Sequence, residues 1–296
     1  MNFKEYGDNS KDTIMLLHGG GLSWWNYREE AEKLKNSYHI ILPILDGHSE
    51  SDRNFTSIED NAQEIVEYII NNYNGHIRLI GGLSLGGQIL LEILSKKEDI
   101  CDYAIIESAL AIPMKATYKM IRPAFSMSYG LISKKWFSQM QFKSLKIRED
   151  LFNEYYRDTC KISKEDMIAF MEANSKYEIK DSLSSTKAKV LVVVGDKERP
   201  IMKKSASIIH QKINGSRIEI LPNYYHGDFS INNPQQYVKA INELIANRNL
   251  KSKSFYNAET KSKNEQIELE ERNRTDTKFL VKDKVQFGGE VRKWKS

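Results

Sequence analysis

The stretch His76-Ile77-Arg78-Leu79-Ile80-Gly81-Gly82-Leu83-Ser84-Leu85-Gly86-Gly87-Gln88-Ile89-Leu90-Leu91-Glu92-Ile93-Leu94 decides the fold. A short apolar run stops at two glycines, and apolar residues at helical spacing begin after Ser84. The reading is strand, sharp turn, helix. Gly82-Leu83-Ser84-Leu85-Gly86 fits G-x-S-x-G, where the turn forces the serine into a strained conformation and the flanking glycines Gly82 and Gly86 remove Cβ atoms that would clash. Ser84 then stands at the N-terminus of a helix, where backbone N–H groups and the helix dipole favour an anion forming beside it. It is a candidate nucleophile. Glycine and serine are common, so the pentapeptide alone carries little; the strand before it and the amphipathic helix after it give it weight.

Upstream, Thr13-Ile14-Met15-Leu16-Leu17 reads as a strand buried on both faces, and it ends in His18-Gly19-Gly20-Gly21. With no side chains in the way, the N–H of Gly20 can point at an oxyanion together with the N–H of Leu85, the residue after the serine. Gly19 and Gly21 keep that loop open, and His18 reads as a side chain that braces it. A helical stretch from Trp25 to Lys35 precedes a second strand, Tyr38 to Pro43. Ser57 or Thr56 caps a helix running through Tyr68, Ile69 and Ile70.

Downstream, Tyr103 to Ala109 is the next strand, with Glu107 at its end. Ala188 to Asp196 is the strongest strand of the chain and ends on an acid, and Ser216 to Pro222 is the last. A loop holding His226 leads into a helix from Pro234 to Ala246. Strands alternating with helices predict an α/β fold with a mostly parallel sheet flanked by helices, whose ligands bind outside the carboxyl ends of the strands. The Gly20 loop, Ser84 and Glu107 would all lie there. Between Ile112 and Ser185 the strand rhythm lapses into helical sequence rich in Met and aromatics.

The H-G-G-G loop after one strand, the Pro43-Ile44-Leu45-Asp46-Gly47-His48-Ser49-Glu50-Ser51 loop after the next, and the serine turn together resemble the α/β-hydrolase fold superfamily. More narrowly they are similar to bacterial cap-bearing serine hydrolases related to esterases and carbon–carbon bond hydrolases. The usual second loop is D-x-P-G-H-G-x-S, from which Ile44, Asp46 and Ser49 depart; in the family that loop is structural. The resemblance runs from about Thr13 to about Asn247. It implies residues 1–111 and 186–250 as the hydrolase core, 112–185 as a helical cap that closes the site and lines its pocket, and His226 as the catalytic histidine. Asp196 is the expected acid of the triad and Glu107 its rival, since some members take the acid from the earlier strand. Serine at the nucleophile position sets the chain apart from dehalogenases and epoxide hydrolases of this fold, which need aspartate.

The function implied is cleavage of a carboxylic ester through a Ser-His-Asp triad and an acyl-enzyme, without cofactor or metal. Acyl transfer, carbon–carbon bond hydrolysis, or ligand binding with little turnover are the competing readings. A Met- and aromatic-lined cap would suit a small apolar or aromatic acyl ester. The net charge of +4 over 296 residues is too small and dispersed to argue for nucleic acid. Two cysteines, Cys101 and Cys160, have neither disulfide-framework nor zinc spacing. No leader-like or membrane-spanning run is apparent, so a cytoplasmic location is expected; oligomeric state is left open. From 251 to 296 the sequence is charge-rich and apolar-poor, a tail expected to be disordered or loosely attached.

Overall fold

A computed structural model describes residues 1–246, so the expectation for the tail from 251 to 296 lies outside the described residues. Its sheet has seven strands: β1 (Asn2–Tyr6), β2 (Thr13–Leu17), β3 (His39–Ile44), β4 (Ile77–Leu83), β5 (Cys101–Glu107), β6 (Lys189–Gly195) and β7 (Arg217–Leu221). Their order is β1-β3-β2-β4-β5-β6-β7. Every neighbouring pair is parallel except β1 and β3, which run antiparallel with Asn2 opposite Ile44 and Tyr6 opposite Ile40. Six of these strands coincide with the apolar runs. The seventh, β1, is an edge strand of part-exposed residues that no apolar run announces, the usual place for an antiparallel strand on a parallel sheet.

Period-two alternation splits the strand residues between two faces. Met15, Leu17, Ile41, Ile80, Ile106 and Val192 pack into one cluster with Ile65 and Ile69 of α2 (Ile58–Tyr73), Ile89 and Ile93 of α3 (Leu85–Lys96), and Ile209 of α8 (Pro200–Lys212). The other face meets α1 (Arg28–Leu34) and α9 (Pro234–Ala246): a Cβ built on Gly81 would lie against Tyr237 of α9 and Leu16 of β2. Burying both faces explains why the central strands read as unbroken apolar runs. Ser57 caps α2, its Oγ accepting the N–H of Asp60 at 3.0 Å. The stretch expected as one helix from Trp25 is a short 3-10 turn over Trp24–Tyr27 followed by α1.

Between β5 and β6 lies an insertion of four α-helices: α4 (Lys115–Ser128), α5 (Lys135–Ser144), α6 (Phe152–Thr159) and α7 (Lys164–Lys176). It is tied to the rest of the chain by a few long-range polar contacts. Asp158 accepts Trp25 Nε1–H at 2.8 Å and Ser49 Oγ–H at 3.1 Å. Asp166 accepts the N–H of Phe55 at 2.7 Å. Asn174 and Gln88 exchange two hydrogen bonds, at 2.8 and 3.0 Å.

Because β2 sits between β3 and β4, the chain winds from β2 to one edge and then restarts on β2's other side. Such a switch opens a crevice at the strands' carboxyl ends. Here the ends are aligned by register: Leu17 lies opposite Gly82, Leu83 opposite Glu107, and Glu107 opposite Val193.

Candidate active site

Ser84 follows the last residue of β4 and has φ 53° and ψ −109°, a strained conformation for a residue with a side chain. Two bonds hold it there: its N–H donates to Glu107 O at 2.9 Å and its carbonyl accepts the N–H of Gln88 at 3.0 Å. The glycines around it are sterically required. A Cβ at Gly82 would sit 2.4 Å from Gly86 O, and one at Gly86 would sit 2.2 Å from Leu17 O. The turn is therefore packed directly against the end of β2.

The Gly19–Gly21 loop is held by two buried histidines. Leu45 N–H donates to His18 Nε2 at 3.1 Å, so that nitrogen is bare and the proton sits on Nδ1, which donates to Gly19 O at 2.9 Å. His48 repeats the pattern, accepting Gly21 N–H on Nε2 at 3.0 Å while Nδ1 faces Asp46 O at 3.0 Å. Burial pushes both imidazoles down, His48 to about 4, and for His18 the neighbouring His48 adds to the lowering. Both stay neutral. The bracing role expected of His18 is thus shared with His48, whose part the sequence reading did not assign. Gly19 N–H donates to Asn26 Oδ1 at 3.3 Å, so the N–H groups on both sides of Gly20 are engaged. Gly20 and Leu85 line the same cavity as Ser84.

His226 lies in the loop after β7, where its Nδ1 is 2.8 Å from Glu198 Oε2. The expected acid, Asp196, is therefore corrected to Glu198 as the carboxylate that meets His226. Asp196 accepts Asn223 N–H at 2.7 Å instead and braces the turn that begins the histidine loop. The reason lies in how β6 ends. A Cβ on Gly195 would meet Tyr224 O at 2.0 Å, so the strand end and the histidine loop are already in contact there. The chain travels two residues past Asp196 before a side chain faces the ring. Glu198, its side chain 1% exposed, is bound on every side: Oε1 accepts Ser108 Oγ–H at 2.6 Å and Gly195 N–H at 2.8 Å.

The rival acid, Glu107, does not bond His226 either. Its Oε1 accepts the N–H groups of Phe229 and Ser230, each at 3.2 Å, just beyond the histidine. Burial raises its pKa to about 7.

Burial also opposes the charged form of Glu198, but the hydrogen bond and charge of His226, with Ser108 and Gly195 N–H, outweigh it and hold the carboxyl below its usual value. For His226 burial lowers the pKa, and the hydrogen bond and charge of Glu198 outweigh that, with smaller help from Glu107 and Asp228, so the net shift is upward. The ring is a cavity wall with 46% of its side chain accessible. An ionised Glu198 facing Nδ1 fixes the proton on that nitrogen and leaves Nε2 free to accept another.

Ser84, His226 and Glu198 line one cavity of about 550 Å³ with Gly20 and Leu85. Its apolar wall comes from the core (Leu22, Leu83, Ile231) and from the insertion and the loop after α5 (Leu145, Ile147, Phe170, Met171). Among the described residues no group of three or more His, Cys, Asp or Glu is placed to hold a metal, and no helix is long and apolar enough to cross a membrane.

A family model described as the α/β hydrolase fold matches residues 12–132. The seven-stranded, mostly parallel sheet with its flanking helices has the α/β-hydrolase fold. It is 24% identical over 140 residues to the uncharacterized hydrolase YugF of Bacillus subtilis (strain 168), covering 46% of this chain and about half, 51%, of that relative's length. A thermophilic esterase from Thermogutta terrifontis superposes with a TM-score of 0.68 at 17% identity, over 83% of this chain and 92% of the esterase. Bromoperoxidase from Bacillus anthracis superposes with a TM-score of 0.70 at 15% identity, over 83% of this chain and 95% of its own. Identities this low show a shared fold and no shared reaction.

Proposed function

We propose that the protein is a serine hydrolase that cleaves a carboxylic ester through an acyl-enzyme, with Ser84 as nucleophile, His226 as general base and Glu198 as the acid that orients it. The observation that carries this reading is the 2.8 Å contact of Glu198 with His226 Nδ1 in the cavity onto which Ser84 opens. A neutral imidazole with Nε2 bare is the form a general base needs. Ser84 Oγ attacks the ester carbonyl as Nε2 takes its proton, and the Gly20 and Leu85 N–H groups receive the oxyanion. The carbonyl reforms, the bond to the alcohol breaks, and Nε2 returns the proton to the departing oxygen. Water, deprotonated by the same nitrogen, then attacks the acyl-enzyme and regenerates Ser84.

Glu198 stabilises the imidazolium formed in each half and holds its orientation, and the Ser108 and Gly195 bonds keep the carboxylate from turning away. The apolar walls favour an apolar or aromatic acyl group, and we read the insertion as the cap over the site. Intact-mass spectrometry after a fluorophosphonate probe tests the reading, followed by a chain-length series of p-nitrophenyl esters. One adduct per wild-type chain, none on Ser84→Ala, and a loss of turnover of about 10⁴-fold or more in that variant are expected. No adduct on folded wild-type protein would overturn it.

A further inference from the structure

The cavity that holds Ser84 is apolar within, yet Lys146, Lys197 and Arg199 also line it, and among the described residues Glu198 is its single carboxylate. Glu198 is already committed to His226, Ser108 and Gly195. The three cations have no carboxylate partner among the described residues: Lys146 Nζ lies 5.7 Å from the Tyr225 ring centroid and Arg199 approaches Met114 Sδ at 3.9 Å. The charge reaches beyond the rim. From Ser108 to Ile147 the sequence holds seven Lys and Arg and no Asp or Glu, and Ser144 to Ile147 of that segment form part of the cavity wall.

We infer that the substrate is an anionic ester, with an apolar body against Phe170 and Met171 and a carboxylate or phosphate group seated among Lys146, Lys197 and Arg199. This deepens the serine-hydrolase reading and rests on it for the bond that is cut. Three unpaired cations around a low-dielectric hollow focus a positive potential into it, raising the local concentration of anions and orienting them on entry. Arg199 can fork onto two oxygens of one oxyanion, and the lysines add point charges that tolerate variation in its position. A neutral ester would use the apolar wall and leave the cations unanswered. Lys197 and Arg199 flank Glu198 in sequence, so the loop that orients the base also presents the anion's partners.

The test compares p-nitrophenyl hydrogen adipate with p-nitrophenyl hexanoate, two esters of equal chain length that differ in a terminal carboxylate. The expected result is a kcat/KM about tenfold higher for the adipate at low ionic strength, carried mainly by KM. The adipate-to-hexanoate ratio should fall about threefold or more in Lys197→Met and again in Arg199→Met, and shrink at 0.5 M salt, roughly as screening requires. A ratio at or below one, or a ratio unmoved in both variants, would overturn the inference.

Binding separates this outcome from failure of the hydrolase reading. Calorimetry on Ser84→Ala with 4-phenylbutyrate, 4-phenylbutyl phosphate and 4-phenylbutanol needs no turnover. Tighter binding of either anion than of the alcohol supports the inference even if no ester is cleaved, and the tighter anion identifies carboxylate or phosphate. Equal binding of all three sinks it even if esters are cleaved.

Discussion

The sheet end that carries Ser84 and the helical insertion that shares its cavity hold their side chains in different ways. At the sheet end each group has several short-range bonds: Glu198 has three partners, and His18 and His48 have two each. The insertion is joined through Asp158, Asp166 and Asn174, through the Arg28–Glu154 and Arg148–Glu29 ion pairs and by Met167, Phe170 and Tyr177 in the sheet's apolar cluster, yet it leaves Met127 87% and Trp136 62% exposed. The contrast separates two demands. Chemistry needs groups fixed to a fraction of an ångström, which a packed parallel sheet and its strand ends provide; a pocket wall that sets shape and charge tolerates looser support.

The largest effect should fall on the fixed side. Glu198→Gln should lower kcat about 10³- to 10⁴-fold, because an amide can present its NH₂ to Nδ1 and favour the wrong tautomer. Asp196→Asn, which touches only the Asn223 turn, should cost less than about tenfold; the opposite ranking would return the acid to Asp196. The pH profile carries the same information. His226 must be neutral to accept a proton, and its pKa is raised by Glu198. Activity in the wild type should therefore disappear, as pH falls, above the ordinary histidine value of about 6.5, and in Glu198→Gln the residual activity should persist to lower pH. Profiles of kcat/KM for one p-nitrophenyl ester measure both.

The second effect tests the insertion's attachment. Asp158→Ala strands the buried Trp25 indole N–H and the Ser49 hydroxyl, and should cost about 3 kcal/mol in urea denaturation. It should also speed limited proteolysis within residues 112–185 while the central strands keep their amide protection. A loss below about 1 kcal/mol would mean that apolar packing, and not this tether, joins the two regions.

These two experiments fall on residues of unequal legibility. The placement of Ser84 and His226 at one cavity could be read because a G-x-S-x-G turn between strand and helix, and a histidine after the last strand, are local patterns. The six apolar strands could be read because burial on both faces leaves no alternation to confuse. Glu198 was missed because strand-end position was taken as the cue, whereas the contact of Gly195 with Tyr224 delays the turn by two residues. Its own signal was present: it is the last acid before Arg199 and Pro200, and Pro200 opens α8. Asp158 and Asn174 carried no signal at all, since their partners lie 133, 109 and 86 positions away in the chain.

A third effect concerns Glu107, which shares the strand-end position without the contact to His226. Its pKa is about 7 in the folded chain, raised by burial from an ordinary 4.5. Between those values the folded state binds more protons than the unfolded one, so this group makes stability fall as pH rises through the window. Glu107→Gln keeps an acceptor for Phe229 and Ser230 and has no charge to bury. Denaturation of the variant from pH 5 to 8 should lack a decline on the order of 2–3 kcal/mol that the wild type shows. A rate loss matching that of Glu198→Gln would instead make Glu107 the working acid.

The smallest effect should come from the insertion's exposed surface. Met127→Ser and Trp136→Ala each remove a large apolar group that is already in water, and surface substitutions of this kind change stability by less than about 0.5 kcal/mol. Phe142→Ala in the same insertion deletes a buried ring packed against Phe152 and Tyr155, and should cost about 3 kcal/mol. Thermal denaturation of the three variants measures how far the insertion is a packed body with its own interior. If Met127→Ser cost as much as Phe142→Ala, that face would be covered in the folded chain, and the contrast between a rigid sheet end and a loosely supported wall would have to be redrawn around whatever covers it.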